Sequence, residues 1–293
     1  MLSSVFSNFL LNDILEGRME DKTVYDYYKN GGWSMKSGVY FDTEINENLQ
    51  KAASEYNTQT RRRVLHVLNI LQLKKSKSLL DVASGPIQYP EYLEYSRPFA
   101  KRVCVDFSQV ALEGAKNNLE NDLQDNGVFI CADFLNLNIK PNTFGASISL
   151  HTLYHIQIEK QKDFVEKLIE VTEPDGLVII VYSNPLSFRS FIRIPSAIIM
   201  RILRWTRRKA LDEKVNVSAI YCKRWRRSWW KQFNSFGIVS FKTYRLFTPS
   251  FEKSIIPDNF IGKILYNILF KIEESKFSLF LADYYMIVIK KFS

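Results

Sequence analysis

Leu79-Leu80-Asp81-Val82-Ala83-Ser84-Gly85-Pro86 is the stretch on which the fold turns. A short apolar run closes on an acid and then on small residues, the pattern of a buried strand that ends in a tight turn where backbone can approach a ligand. Downstream the pattern repeats with helical stretches between: RVCVDF at 102–107, SQVALEGAKNNLE at 108–120, GVFICAD at 127–133, FGASISLH at 144–151, EKQKDFVEKLIEVT at 159–172 and GLVIIVYS at 176–183. Continuous apolar strands alternating with helices imply βαβ units and a mainly parallel sheet covered on both faces, a doubly wound α/β fold. Ser108 directly follows a strand and suits an N-cap, and Glu173-Pro174-Asp175-Gly176 reads as a turn between helix and strand.

On either side of this block the reading is coarser. Residues 44–73 read as helix, with Val64, Val67, Leu68 and Leu71 on one 3.6-period face. Ahead of it Tyr25, Tyr28, Trp33 and Tyr40 surround Gly31-Gly32, which suits a mobile lid. Residues 186–235 read as a basic helical insertion rich in Trp and Arg. VSFKTYRLF at 239–247 and LADYYMIVIKK at 281–291 are the last two predicted strands, with an apolar helix near 260–273. The expected division is an N-terminal lid and helix over 1–73 and a core over 74–293 carrying the insertion as a cap.

Composition narrows the class. The chain has 293 residues and a net charge of +9, yet residues 186–247 hold fifteen Lys and Arg against Asp212 and Glu213 alone. One part of the chain is thus expected to meet a phosphate, an acidic substrate or a membrane face, or to carry a solvated basic helix. The opening MLSSVFSNFLLND lacks a basic lead and a small-residue cleavage site, so no secretory signal is expected and the cytoplasm is the default location. Cys104, Cys131 and Cys222 have no CxxC spacing, so neither disulfides nor structural zinc are expected. No compact cluster of carboxylates and histidines suggests a metal.

The chemistry concentrates at strand ends. Asp106 closes the second strand, 25 residues after Asp81, where a carboxylate can accept hydrogen bonds from both hydroxyls of a ribose. Asp133 closes the third strand. All three fall at the edge where doubly wound sheets bind ligands. A nicotinamide enzyme would share the first two acids, but Ala83 and the residues from Pro86 to Gln88 break the GxGxxG fingerprint. His151 and His155 follow the fourth strand at the same edge and are the candidate catalytic residues; an unperturbed imidazole near about 6.5 suits a general base. His66 lies on the helix before the core and reads as structural.

DVASGP, VDFS, CADF and SLHTLYHI, in that order and spacing, resemble the motifs of class I S-adenosylmethionine methyltransferases over roughly residues 77–185. The resemblance implies a Rossmann-like sheet of seven strands with the last antiparallel, and S-adenosylmethionine as cofactor. By position it implies that Asp81 and Gly85 flank the methionine portion, Asp106 the ribose and Phe107 the adenine face. Asp133 would take the adenine amino group, with Phe134 packed nearby. Ala83, Ser84 and Leu150 complete the expected cofactor contacts, and Tyr28 and Tyr40 are lid candidates for the sulfonium or carboxylate end. Ala83 departs from the family pattern, which more often has glycine there.

The insertion interleaves Arg189, Arg193, Arg201, Arg204, Arg207 and Arg208 with bulky apolar residues. Such a stretch can lie on an anionic bilayer or grip a phosphorylated or lipid-linked acceptor, or simply pack on the sheet with its arginines in water. A nucleic-acid reading is disfavoured, because no RNA-binding module is appended and Trp225, Trp229 and Trp230 fall near helical spacing. The expected function is methyl transfer to a small-molecule or glycan-like acceptor, at oxygen by preference. The alternatives are a lipid-like acceptor at the membrane surface and a non-catalytic partner subunit that keeps the fold.

Overall fold

The computed structural model describes residues 24, 27–36, 38–70, 77–121, 127–187 and 222–293. Tyr25 and most of the expected cap, residues 188–221, lie outside them. Seven strands form one sheet: β1 Ser78–Val82, β2 Lys101–Asp106, β3 Gly127–Cys131, β4 Phe144–Leu150, β5 Thr172–Ser183, β6 Gly237–Arg245 and β7 Tyr284–Lys291. Their order is β3-β2-β1-β4-β5-β7-β6. The first five are parallel, and β7 runs antiparallel to both β5 and β6. The chain reverses its direction of winding between β1 and β4, so the crevice for a ligand lies beyond the carboxyl ends of those two strands.

The apolar runs form strands because they are covered twice. On one face helix α2, Ser54–Asn69, packs Val64, Val67 and Leu68 against Leu79, Ile148 and Ile179. On the other, α5, Gln161–Val171, packs Phe164, Val165 and Leu168 against Leu80, Val178 and Ile180. Helix α4, Gln109–Asn121, covers Cys104 of β2 with Leu112, Ala115 and Leu119. Its start is capped as expected, since the Ser108 hydroxyl accepts from the Ala111 N–H at 3.3 Å.

Two sequence expectations change. The helix expected over 44–73 is two: α1 is Phe41–Asn46, and a 3-10 turn at Lys51–Ala53 leads into α2, while residues 71–73 lie outside the described residues. The break follows from Asn48, whose side chain accepts from the Gln50 N–H at 3.1 Å and offers the backbone an alternative to the helix. The expected turn at 173–176 is a bulge within β5. Thr172 and Leu177 pair with Phe144 and Ala146, leaving four residues of β5 looped out with Asp175 at φ 61°.

The short helices are α3, Pro90–Glu94, α6, Pro249–Ile255, and α8, Ser278–Leu281, with the longer α7 at Phe260–Glu273. The carboxyl end of the expected cap belongs to the core: within the 3-10 stretch Arg227–Ser235, Trp230 and Phe233 are fully buried beside Tyr182 and Tyr285. No helix among the described residues is long and apolar enough to cross a membrane.

Candidate active site

A cavity of about 710 Å³ opens at the carboxyl ends of β1, β2 and β4, the crevice that the sheet topology sets aside. Its floor is the turn after β1. Ala83 at φ 57° and Gly85 at φ 59° both adopt the left-handed region, which explains why glycine is favoured at the first of these positions. A Cβ on Gly85 would meet the Trp33 ring at 3.4 Å, so the indole lies directly over the turn.

Asp106 is the centre of this floor. It is buried, one carboxylate oxygen accepting from the Gly85 N–H at 3.0 Å and the other from the Ser108 N–H at 2.8 Å. Burial raises its pKa to about 6, against the opposing pull of those backbone donors. Each oxygen holds further acceptor capacity. Phe107, Ser84 and Leu150 line the same cavity.

Asp81, the matching acid on β1, has a different environment. Its carboxylate is paired with Arg102 of β2 through Nη2 and through Nε at 3.1 Å, both side chains being buried. Arg102 also donates to the Tyr92 carbonyl and to Ser96 Oγ. Burial raises the Asp81 pKa and the guanidinium opposes the rise. From sequence alone Arg102, at the start of a strand, reads as surface charge, whereas it is buried.

Asp133 and Phe134 are not brought to the cavity. Asp133 is exposed and caps a 3-10 turn, accepting from the Leu135 N–H at 2.9 Å, while Phe134 is buried in the core against Phe164. The physical reason is that the chain turns inward at once after β3, spending the carboxylate on its own backbone.

The opening segment closes the other side. Tyr28 stacks on Trp33 at 5.1 Å between centroids and meets the Phe107 ring edge at 6.3 Å. Asp42 lines the cavity beneath them, with burial raising its pKa. Tyr40 stands outside the lining, its ring against Trp33 and its hydroxyl beside Gly114 of α4. Trp33 and Asp42 were thus the more informative residues of this segment, and the adjacency of Trp33 to the glycine pair was the signal available.

His151 and His155 both line the cavity. His151 sits at φ 58° with its ring between Tyr244 and Tyr284, at 5.3 and 5.0 Å, and Nδ1 is 3.2 Å from the Tyr154 hydroxyl. This packing pushes its pKa down to about 3, with Arg245 adding to the effect. The expectation of an unperturbed imidazole is therefore corrected: His151 is neutral at pH 7 and a weak base.

The far end of the cavity is polar. Arg245 donates to Glu252 at 2.9 Å and to Asn57 at 2.9 Å, and Arg61 pairs with Glu91 at 3.0 Å while lying over Tyr89. The Thr60 hydroxyl, on a lining residue, is a buried atom with no hydrogen-bond partner, and Glu47 Oε2 makes an ion pair with Arg245 at 3.8 Å. Among the described residues no group of His, Cys, Asp and Glu is arranged to hold a metal ion.

Residues 80–180 match the methyltransferase domain family. No curated protein matches the chain. Among solved structures, a SAM-dependent methyltransferase from Archaeoglobus fulgidus is 14% identical, with 82% of this chain and 97% of that one covered at a TM-score of 0.50. A protein from Pyrococcus horikoshii is 13% identical, covering 87% of this chain and 100% of its own at a TM-score of 0.49. Geranyl diphosphate methyltransferase in complex with SAM is 14% identical, with 79% and 85% covered at a TM-score of 0.49. At 14% identity the likeness to the Archaeoglobus fulgidus structure is one of fold. The family match instead spans the strand ends and glycine turn that build the cavity, so residues 80–180 form a methyltransferase domain, and the strand-end motifs they carry resemble those of the enzymes that use S-adenosylmethionine as cofactor.

Proposed function

We propose that the enzyme methylates a small-molecule or glycan-like acceptor at oxygen, with Asp106 as the anchor for the cofactor. The observation that carries this reading is the buried Asp106 carboxylate, fixed by two backbone N–H groups at the open edge of the sheet and retaining lone pairs for a ribose. The residues present fit the cofactor. Asp106 takes the ribose hydroxyls, the Ala83-Ser84-Gly85 turn borders the methionine portion, and Phe107 offers a face to the adenine. Tyr28 and Trp33 cover the site as a lid. Asp133 and Phe134 stand outside this set.

When bound, the cofactor supplies an electrophilic methyl group on a sulfonium. The protein's share is to hold the acceptor in line, exclude water and receive a proton if the acceptor is a hydroxyl. His151 stays neutral and accepts a hydrogen bond as a positioning group, whereas His155 is the imidazole assigned to the proton. The far end favours hydroxyls over phosphates: Arg61 is already held by Glu91 and Arg245 by Glu252 and Glu47, while the buried Thr60 hydroxyl has no hydrogen-bond partner.

Calorimetric titration with S-adenosylhomocysteine tests the anchor. Binding by the wild type that disappears in Asp106→Ala supports it, and undiminished binding by the variant refutes it. With an acceptor found by screening hydroxylated compounds, His155→Ala should lower kcat while leaving S-adenosylhomocysteine affinity unchanged.

A further inference from the structure

Helix α7 is apolar on two faces, and only one of them is used by the fold. Gly262, Tyr266, Leu269 and Glu273, spaced at i, i+4, i+7 and i+11, face inward and are buried. A second stripe with helical spacing, Ile261, Ile264, Leu265, Ile268 and Ile272, is exposed between 39% and 60%. Phe260 at the head of the helix is 76% exposed, and beyond its end Phe277 and Phe280 are 71% and 63% exposed. Single exposed apolar residues need no explanation, but a stripe about three turns long flanked by three open phenylalanines marks an interaction face.

The charges around it indicate what it meets. Lys253, Lys263, Lys271 and Lys276 stand on this stretch against Asp258 and Glu274, because its other acids, Glu252 and Glu273, are buried in ion pairs with Arg245 and Arg63. Lys263, Asn267 and Lys271 form the polar stripe beside the apolar one. A second copy of the chain fits poorly. In an antiparallel two-fold pairing of α7 the lysine flank of one copy faces the lysine flank of the other. An anionic surface with an apolar interior fits both features, since the lysine stems can lie along the apolar stripe with their ammonium groups among phosphates. At fourteen residues the helix is too short to span. We propose that the α7 face, with Phe277 and Phe280, docks the enzyme in the plane of an anionic bilayer surface. This surface is distinct from the active site and does not depend on which acceptor is methylated.

The test is co-sedimentation of the purified full chain with phosphatidylcholine vesicles, with and without phosphatidylglycerol as a minor component, at low and high salt. The expected result is binding that needs phosphatidylglycerol and weakens with salt. The Ile264→Ser/Ile268→Ser/Phe277→Ser variant should lose about tenfold or more of that binding. Lys263→Glu/Lys271→Glu should lose the preference for phosphatidylglycerol. All these positions are exposed, so the variants should fold, and unchanged S-adenosylhomocysteine titration would confirm an intact active site. The proposal is overturned if the wild type fails to sediment with phosphatidylglycerol vesicles, or if the triple variant sediments as well as the wild type, which would shift binding to another segment such as 188–221. It is equally overturned if light scattering gives a dimer that the triple variant reduces to a monomer.

Discussion

The carboxyl ends of β2 and β3 present the same sequence feature, an acid closing an apolar strand, with opposite outcomes. Asp106 is buried and held by the amides of two separate segments, Gly85 and Ser108. Asp133 is exposed and held by its own next residues, Leu135 and Asn136. Asp81 is a third case, buried but committed to a guanidinium. On the proposed reading, an acid at a strand end serves a ligand only when a neighbouring loop supplies its partners and leaves it acceptor capacity to spare. Position along the chain is not sufficient.

The contrast can be tested by substitution, starting with the largest effect. Arg102→Met should destabilise the protein by about 3–5 kcal/mol, because it leaves the Asp81 carboxylate buried without its partner; urea unfolding measures this. The double variant Arg102→Met/Asp81→Leu should recover much of the loss. Asp106→Ala should weaken S-adenosylhomocysteine binding by about a hundredfold, since charge-assisted hydrogen bonds contribute roughly 1.5–3 kcal/mol each. Asp133→Ala should instead cost about 1 kcal/mol of stability through the lost cap and leave affinity unchanged.

Asp106 also predicts a pH dependence. Its pKa is raised from 3.8 to about 6, so its ionisation is harder in the folded protein; the stability it contributes is fully present below 3.8 and is lost as pH rises toward 6. With Asp106 as the proposed ribose anchor, the ionised form is the one that accepts from both hydroxyls, so affinity should fall as pH is lowered through about 6, and Asp106→Asn should flatten that inflection. The smallest effect is expected at Ala83→Gly. Relieving the left-handed alanine should stabilise the fold by about 0.5–1 kcal/mol, the gain being limited by the greater freedom of glycine in the unfolded chain.

The sheet was legible because each core strand is an apolar run bounded by turn residues. The place of Asp106 was legible because the edge of a doubly wound sheet follows from strand order alone. What escaped depends on side chains meeting across long separations. The packing that makes His151 a weak base comes from Tyr244 and Tyr284, each more than ninety residues away. The pairing of Arg102 with Asp81 depends on the register of β1 beside β2, where Asp81 sits opposite Cys104. The covering of Gly85 by Trp33 depends on how the opening segment folds back.

The strand order has a consequence for the timing of folding. β5, buried from Leu177 to Ser183, is separated from β6 by β7, which comes last in the chain. During synthesis β1 to β5 can assemble from contiguous chain, but the far edge of β5 stays open until residues 284–291 emerge more than a hundred residues later. An apolar strand with an unpaired edge is a template for intermolecular pairing, so yield on expression should be governed by how long that edge waits.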